Sequence, residues 1–155
     1  MDDIPGHEFS HMGQAPGLVH RVFTRQGGVS LAPFDCLNTG KRTGDDSQAV
    51  MENRRRILGA LGAEKALYLN QVHGADILVL SRKDREKADL ETAHTADGVV
   101  TNIPGVALVI QVADCQAVML HDPAKRVIAN VHSGWRGSIK NIIGQCVNIM
   151  VQDFG

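Results

Sequence analysis

A thiol and an imidazole are expected to meet at the open end of one β-hairpin. Two strand-like runs, Ala117–His121 and Arg126–Val131, flank the turn sequence Asp122-Pro123-Ala124-Lys125. If Asp122 lies opposite Lys125, antiparallel pairing places Cys115 opposite His132, and directly opposed β-carbons are about 5 Å apart. The pair predicts either half of a metal site or a nucleophile with its base.

A second imidazole, His73, lies in the polar turn Asn70-Gln71-Val72-His73-Gly74 between two short predicted strands. Two imidazoles and one thiolate are the ligands expected for a catalytic zinc ion that keeps its fourth position for water or substrate. Such an ion lowers the pKa of bound water to about 7. Alone, each residue is more often a buried structural side chain, but their joint occurrence at strand ends favours a functional site.

Charged and aromatic residues flank these positions. Asp114 precedes Cys115, and Asp97 lies in the predicted strand over residues 96–101, so either carboxylate is a candidate for proton transfer. Trp135 is the only tryptophan, and its indole could form the floor of a pocket for a flat ligand. The guanidinium groups that could bind phosphate or carboxylate belong to Arg25 and Arg136.

Local patterns predict the elements that position these residues. Asp45-Asp46-Ser47 supplies an N-cap for a helix over about residues 48–61, which Gly62 ends. The apolar run Val106–Val112 indicates a strand covered on both faces. Ser138 is the predicted cap of a final helix that ends near Asp153. Strands and helices alternate, which indicates an α/β or α+β class with a mixed sheet.

The composition excludes several function classes. The 155 residues fit one domain, and 16 basic against 17 acidic residues give a net charge of −1, so we expect neither nucleic acid nor an anionic membrane as a partner. The longest apolar run, Val106–Ile110, is too short to span a bilayer. Three widely spaced cysteines indicate reduced thiols, and no secretory signal is visible, which predicts a cytoplasmic protein. Residues 1–16 predict a mobile leader before a single domain over residues 17–155.

Short polar and glycine-rich motifs occur from about Thr24 to the end of the chain. They are Thr24-Arg25 with Gly27-Gly28-Val29-Ser30, Leu37-Asn38, Asn70-Gln71-Val72-His73-Gly74, Ala96-Asp97-Gly98, Ala113-Asp114-Cys115 and Val131-His132-Ser133-Gly134-Trp135-Arg136-Gly137. In this order they resemble the laccase-domain, or YfiH-type polyphenol oxidase, family. The joint match is highly specific, although no single motif is.

The resemblance implies a four-layer αββα sandwich and a zinc or copper ion held by the family's two histidines and one cysteine, here His73, Cys115 and His132. It implies purine nucleosides and phosphate as substrates, through phosphorolysis of adenosine, inosine and methylthioadenosine. It also implies adenosine deamination and a disputed oxidation of phenols, and some bacterial members are linked instead to peptidoglycan precursor editing. Asn38 and Gln71, within matched motifs, thereby join the candidate substrate-binding residues.

The chain departs from the family pattern at two positions and in its length. Ser133 replaces the usual alanine after the second histidine, and Ala117 replaces the usual proline two residues after the cysteine. Family chains continue well beyond the helix that here ends near Gly155. We therefore expect either a fragment or a shortened member that lacks the family's C-terminal part. Nothing in the sequence indicates the oligomeric state.

The number of histidines separates the candidate mechanisms. A multicopper oxidase needs a type-1 copper and a trinuclear cluster, hence many histidines, usually in His-x-His pairs, whereas this chain has seven histidines and no such pair. One mononuclear site suits phosphorolysis or deamination better, with Arg25 or Arg136 holding phosphate in phosphorolysis. The alternatives are a metal-free cysteine hydrolase, with Cys115 as nucleophile and His132 as base, and a noncatalytic scaffold whose metal joins strands.

Overall fold

The computed structural model describes residues 4–84 and 94–155 and divides the chain into two compact units, residues 1–64 and 65–155. Its mixture of helices with parallel and antiparallel strands confirms the predicted mixed α/β class. Two compact units can belong to one domain, so the single domain expected over residues 17–155 stays a prediction. Among the described residues, no helix has the length and apolar character needed to cross a membrane.

The first unit begins with two very short strands and a helical turn. Strand β1 (Gly6–His7) pairs antiparallel with β2 (Val22–Phe23), and α1 (Ser10–Gly13) lies between them in sequence. Ile4 is 3% exposed and packs in a core cluster with Ile57. Regular structure is therefore present within the stretch expected to be a mobile leader. The mobility of that stretch stays a prediction, and its residues 1–3 lie outside the described part.

Helix α2 (Ser47–Leu61) is the long helix of the first unit, and its limits confirm the prediction to within one residue. The carboxylate of Asp46 accepts a hydrogen bond from Gln48 N at 2.9 Å, which satisfies one backbone donor of the first turn. Gly62 ends the helix in the left-handed conformation, with φ 61°.

A buried amide joins α2 to the irregular segment that precedes it. Asn53 is fully buried, and its Oδ1 accepts a hydrogen bond from Val29 N at 2.8 Å. Its Nδ2 donates to Ser30 Oγ, Cys36 O and Asn38 O at 2.7–3.1 Å. One side chain therefore satisfies polar groups from three parts of a segment that has no regular structure.

The described residues of the second unit form six strands in two sheets. The strands are β3 (Lys65–Tyr68), β4 (Ile77–Leu80), β5 (Gly98–Thr101), β6 (Val106–Val109), β7 (Gln116–Asp122) and β8 (Val127–Ser133). β3 and β6 form a parallel pair. The larger sheet has the order β4-β5-β8-β7, with β4 parallel to β5 and the other neighbours antiparallel. A 3₁₀ turn at Arg82–Asp84 follows β4.

Two helices follow β8, where a single helix was predicted. They are α3 (Trp135–Ile139) and α4 (Ile142–Phe154). The prediction of one helix beginning after Ser138 is wrong because Asn141 adopts the left-handed conformation, with φ 54°. Its side chain accepts a hydrogen bond from Gly144 N at 3.3 Å, so Asn141 caps α4.

Strand β5 is the strand covered on both faces. Its four residues are buried, with Val99 in the cluster that includes Leu67 of β3 and Val100 in the cluster that includes Ile142 of α4. Successive strand residues point to opposite faces, so the two-stranded sheet covers one face and α4 the other. The double coverage predicted for Val106–Val112 is wrong, because the four residues of β6 are only partly buried and Val112 is 47% exposed.

Candidate metal centre

Three side chains with metal-binding atoms converge in the second unit. His73 lies in the loop between β3 and β4, Cys115 immediately precedes β7, and His132 lies near the end of β8. One nitrogen of each imidazole and the cysteine sulfur all lie within 4.8 Å of one another. His73 is exposed, Cys115 is half-buried and His132 is buried, so the cluster is open to solvent on the His73 side.

The hairpin reaches this geometry through a register that differs from the predicted one. Ala117, and not Cys115, lies opposite His132, so the predicted pairing is wrong by two residues. A shift of two residues leaves every side chain on its original face of the sheet, whereas a shift of one would reverse it. This explains why Cys115, one residue before the paired strand, still approaches the imidazole.

The longer turn accounts for the shift. Asp122 pairs with Val127, so the loop comprises residues 123–126. The carboxylate of Asp122 accepts hydrogen bonds from Ala124 N at 2.8 Å and Lys125 N at 3.0 Å. Arg126 then takes the left-handed conformation, with φ 55°, which returns the chain to the strand.

Asp97 is a fully buried carboxylate that contacts the imidazole of His132 and the backbone of His73. Its Oδ1 accepts hydrogen bonds from His132 Nδ1 at 2.7 Å and His73 N at 2.9 Å. Its Oδ2 accepts from Gly74 N at 2.7 Å and Val72 N at 3.2 Å. Burial raises the pKa of Asp97, but the hydrogen bonds from His132 and from the three backbone N–H groups together hold it below its ordinary value. Asp97 is therefore ionised and occupied as an acceptor, which disfavours the predicted role in proton transfer.

Gly134 supplies backbone beside all three candidate ligands, and the sequence analysis did not single it out. A β-carbon there would lie 3.0 Å from His73 Cδ2, 3.3 Å from Cys115 Sγ and 3.7 Å from His132 Cε1. The two imidazole rings meet edge to face, with centroids 4.7 Å apart. In the sequence, the only sign of this role was the position of Gly134 between the candidate ligand His132 and the start of α3.

The carboxylate of Asp114 lies next to the thiol and is exposed to solvent. Burial raises the pKa of Cys115, and the charge of Asp114 and its hydrogen bond to the thiol raise it further. A cysteine nucleophile needs the opposite environment, one that stabilises the thiolate. The surroundings of Cys115 therefore disfavour the metal-free hydrolase alternative.

The other predicted substrate-binding residues of the second unit differ in availability. The amide of Gln71 donates to Gln111 O and accepts from Gln111 N, both at 2.8 Å, so it joins the His73 loop to the segment before Cys115. Trp135 is 66% exposed, and the guanidinium of Arg136 lies 5.1 Å from the centroid of its ring. Both follow Gly134 directly, so an aromatic face and a cation adjoin the cluster.

Arg25 and Asn38 belong to the first unit. The side chain of Arg25 is exposed, while its backbone carbonyl accepts hydrogen bonds from Cys36 N and Leu37 N. The Nδ2 of Asn38 donates to Thr43 and Asp45, and its Oδ1 accepts from the backbone of residue 40. The amide of Asn38 is thus engaged within its own loop, whereas the guanidinium of Arg25 is accessible.

The donor set fits a single metal ion. Two imidazoles and one thiolate are the donor types of a catalytic zinc site, and the three donor atoms lie within 4.8 Å of one another. The space that a β-carbon at Gly134 would occupy adjoins all three donors. Within residues 4–84 and 94–155, no second group of three or more histidine, cysteine or acidic side chains is arranged in this way. A multicopper cluster does not fit these residues.

Comparison with known proteins identifies related sequences. Residues 19–155 match the sequence model of the family described as multi-copper polyphenol oxidoreductase laccase. A purine nucleoside phosphorylase of Corynebacterium glutamicum is 39% identical over 132 residues, which cover 83% of this chain and 52% of the relative. The purine nucleoside phosphorylase YfiH of Escherichia coli is 35% identical over 136 residues, which cover 87% of this chain and 54% of the relative.

A solved structure extends the comparison to the fold. The crystal structure of YlmD from Geobacillus stearothermophilus superposes with a TM-score of 0.80 at 35% identity, covering 90% of this chain and 53% of that one. The chain therefore spans about half the length of the relatives it matches. The mixed α/β fold is that of the YfiH-type structures, as the motifs predicted.

Proposed function

Because the chain belongs to the multi-copper polyphenol oxidoreductase laccase family, we propose that it is a metal-dependent enzyme that cleaves purine nucleosides by phosphorolysis. The observation that supports this most directly is the convergence of His73, Cys115 and His132 within 4.8 Å. The names of the relatives support the substrate class. Since this chain spans about half of those relatives, the activity has to be measured on the chain itself.

In this proposal, His73, Cys115 and His132 hold one zinc or copper ion. His132 binds through Nε2, because its Nδ1 donates to Asp97. When bound, the ion would supply a Lewis acid with an open coordination position. The lack of a side chain at Gly134 lets its backbone lie against the three ligands, and a substrate would reach the ion from the side of the exposed His73.

In the proposed reaction, a phosphate oxygen bonds to C1′ of the ribose while the bond from C1′ to the purine nitrogen breaks. The electron pair of that bond stays with the purine, which takes up the proton of hydrogen phosphate. The exposed indole of Trp135 stacks on the purine, and the guanidinium of Arg136 binds phosphate. Asp114, exposed beside the thiol, accepts and returns the proton.

Hydrolytic deamination of adenosine is the second reaction that a mononuclear centre would support. It uses water and not phosphate, so the two reactions differ in their products and in their requirement for phosphate. Phenol oxidation, peptidoglycan precursor editing and cysteine hydrolysis do not gain comparable support from the described residues, where a multicopper cluster does not fit and the thiol is not activated.

The first experiment is elemental analysis of the purified chain and of the Cys115→Ala variant. We expect about one zinc or copper ion per wild-type chain and a large loss in the variant. Cys36→Ala is the matched control, because it also removes one half-buried thiol but lies in the first unit. Equal metal content in wild type and Cys115→Ala would refute the assignment of the ligands.

The second experiment follows adenosine and inosine by chromatography, with and without phosphate. Free purine and ribose 1-phosphate that form only with phosphate would support phosphorolysis. Ammonia and inosine from adenosine without phosphate would indicate deamination instead. A metal-loaded chain that forms none of these products would contradict the proposed activity while leaving the metal centre intact.

A further inference from the structure

Asp97 joins the two histidine ligands through a single buried carboxylate. Each of its oxygens accepts two hydrogen bonds, and a carboxylate has about four acceptor positions in all. Its own backbone carbonyl also accepts a hydrogen bond from His132 N at 2.7 Å. No acceptor position of the carboxylate is left for a substrate, so its effect on chemistry has to act through its neighbours.

The first neighbour is the loop that presents His73. His73 has φ 59°, a left-handed conformation that is unfavourable for a residue with a β-carbon. The backbone N–H groups of Val72, His73 and Gly74 all point to the carboxylate of Asp97. Successive N–H groups around a left-handed residue form an anion-binding concavity, so the buried charge stabilises the conformation that directs the His73 side chain.

The second neighbour is the imidazole of His132, which is 3% exposed. Both oxygens of Asp97 face backbone N–H groups, which can only donate, so we assign Nδ1 of His132 as the donor in its 2.7 Å contact with the carboxylate. The lone pair of neutral His132 is then on Nε2, the nitrogen free to bind a metal ion. Asp97 therefore sets both the orientation of this ring and its tautomer.

We propose that Asp97 is the positioning residue of the metal centre, which orients His73 through the backbone and His132 through its ring. This inference rests on the proposed metal centre but not on the identity of the reaction. It replaces the proton-transfer role expected for Asp97 with one in which the carboxylate contacts neither metal nor substrate.

Asparagine at position 97 has the shape of aspartate but cannot accept hydrogen bonds at both ends. If its oxygen faces His132 and His73, its NH₂ group faces the N–H groups of Gly74 and Val72. Both sides are then donors, so the hydrogen bonds to Gly74 and Val72 are lost. In the other orientation, the NH₂ group donates to Nδ1 of His132 and moves the ring proton to Nε2, the atom that would bind the metal. Both orientations damage the site while changing the side-chain volume very little.

The test compares wild type, Asp97→Asn and a control that loses a different buried hydrogen bond. Thr101→Val is suitable because the hydroxyl of Thr101, fully buried in β5, donates to Leu80 O at 2.8 Å and accepts from Ile103 N at 3.1 Å, neither of which belongs to a candidate ligand. Zinc affinity is measured by competition with a chelator. We expect a loss of about 10- to 100-fold for Asp97→Asn, as for other groups that orient metal ligands, and less than about twofold for Thr101→Val.

A tautomer measurement separates positioning from general destabilisation. In ¹⁵N-histidine spectra of the metal-free chain, His132 should be protonated on Nδ1 in wild type and in Thr101→Val, and in Asp97→Asn only if the amide oxygen faces the ring. Unchanged zinc affinity in a folded Asp97→Asn variant, or a wild-type His132 protonated on Nε2, would overturn the inference.

Amide exchange in the wild type gives a test that needs no folded variant. The amides of His73 and Gly74 should exchange slowly despite lying in a loop, because a buried carboxylate accepts from them. Exchange at the rate of unprotected loop amides would refute the inference even if Asp97→Asn did not fold. If wild type bound no zinc, the proposed function would fail, while the tautomer and exchange measurements would still decide the positioning role.

Discussion

Replacing Gly134 with alanine should weaken metal binding with little effect on folding. Gly134 has φ −73° and ψ 174°, an extended conformation that alanine adopts without strain. The substitution therefore adds one methyl group beside the three candidate ligands and leaves the backbone geometry permissible. Any large effect must come from contacts of that methyl group.

The distances set the size of the effect. Carbon atoms pack best at about 3.5–4.0 Å, whereas the added methyl would lie 3.0 Å from His73 Cδ2 and 3.3 Å from Cys115 Sγ. To relieve these close contacts, a ligand side chain must move by about half an ångström. A preorganised site tolerates displacements of its ligands only up to about that size. We expect zinc affinity to fall roughly tenfold, which equals about 1.4 kcal/mol. The added methyl group overpacks the site at a cost of about 1–3 kcal/mol of stability. Alanine also makes the unfolded chain less flexible than glycine does, which offsets part of this cost.

The assay is chelator competition with zinc, together with the thiolate-to-cobalt absorption band of the cobalt-loaded chain. Gly59→Ala is the matched control, because a β-carbon at Gly59, on α2, would meet nothing within 4 Å. The control should bind zinc like wild type and gain about 0.5–1 kcal/mol of stability from the better helix former.

Two results would refute this reasoning. A folded Gly134→Ala variant with wild-type zinc affinity and an unchanged cobalt band would mean that Gly134 does not limit the space around the ligands. An equal loss of affinity in Gly59→Ala would mean that the effect does not come from the site.

Three further predictions concern stability, pH and thiol reactivity. Asn53→Ala should lower the free energy of unfolding by roughly 2–4 kcal/mol, because it leaves buried polar groups of the first unit without partners. Chemical denaturation measures this change. A loss under about 0.5 kcal/mol would argue against the role of Asn53. Hydrogen bonds from Arg55 and Arg56 lower the pKa of Glu52 from 4.5 to about 2, so its stabilising contribution is present above pH 4.5 and lost as the pH falls toward 2. The difference in unfolding free energy between wild type and Glu52→Gln should therefore shrink across that window, and a constant difference would contradict the ion pairs. Burial raises the pKa of Cys146 to about 11, so iodoacetamide at pH 8 should label Cys146 only after unfolding. Mass spectrometry detects the label. Rapid labelling of Cys146 in the native chain would contradict this prediction.

Elements whose signals are local were predictable. Helix α2 begins after Asp46 and ends at Gly62, as its cap residues indicated, since each cap acts on the backbone within one helical turn. The division between α3 and α4 was missed because the left-handed conformation of Asn141 is one of several that asparagine adopts readily. The apolar run that begins at Val106 likewise did not show which elements pack against it. Hydrophobic residues indicate that a segment is buried, but not which other elements bury it.

The sequence by itself determined which chemical groups are available: two imidazoles and a thiol beside glycine-rich turns, with the motif order of a known family. Only the tertiary structure decided which atoms meet. It placed Ala117 opposite His132, engaged the carboxylate of Asp97 with both histidines, and set Gly134 against the three ligands. The physical reason is that these contacts join residues far apart in the chain. They depend on strand register, loop length and the burial of a charge, which no local pattern of residues encodes.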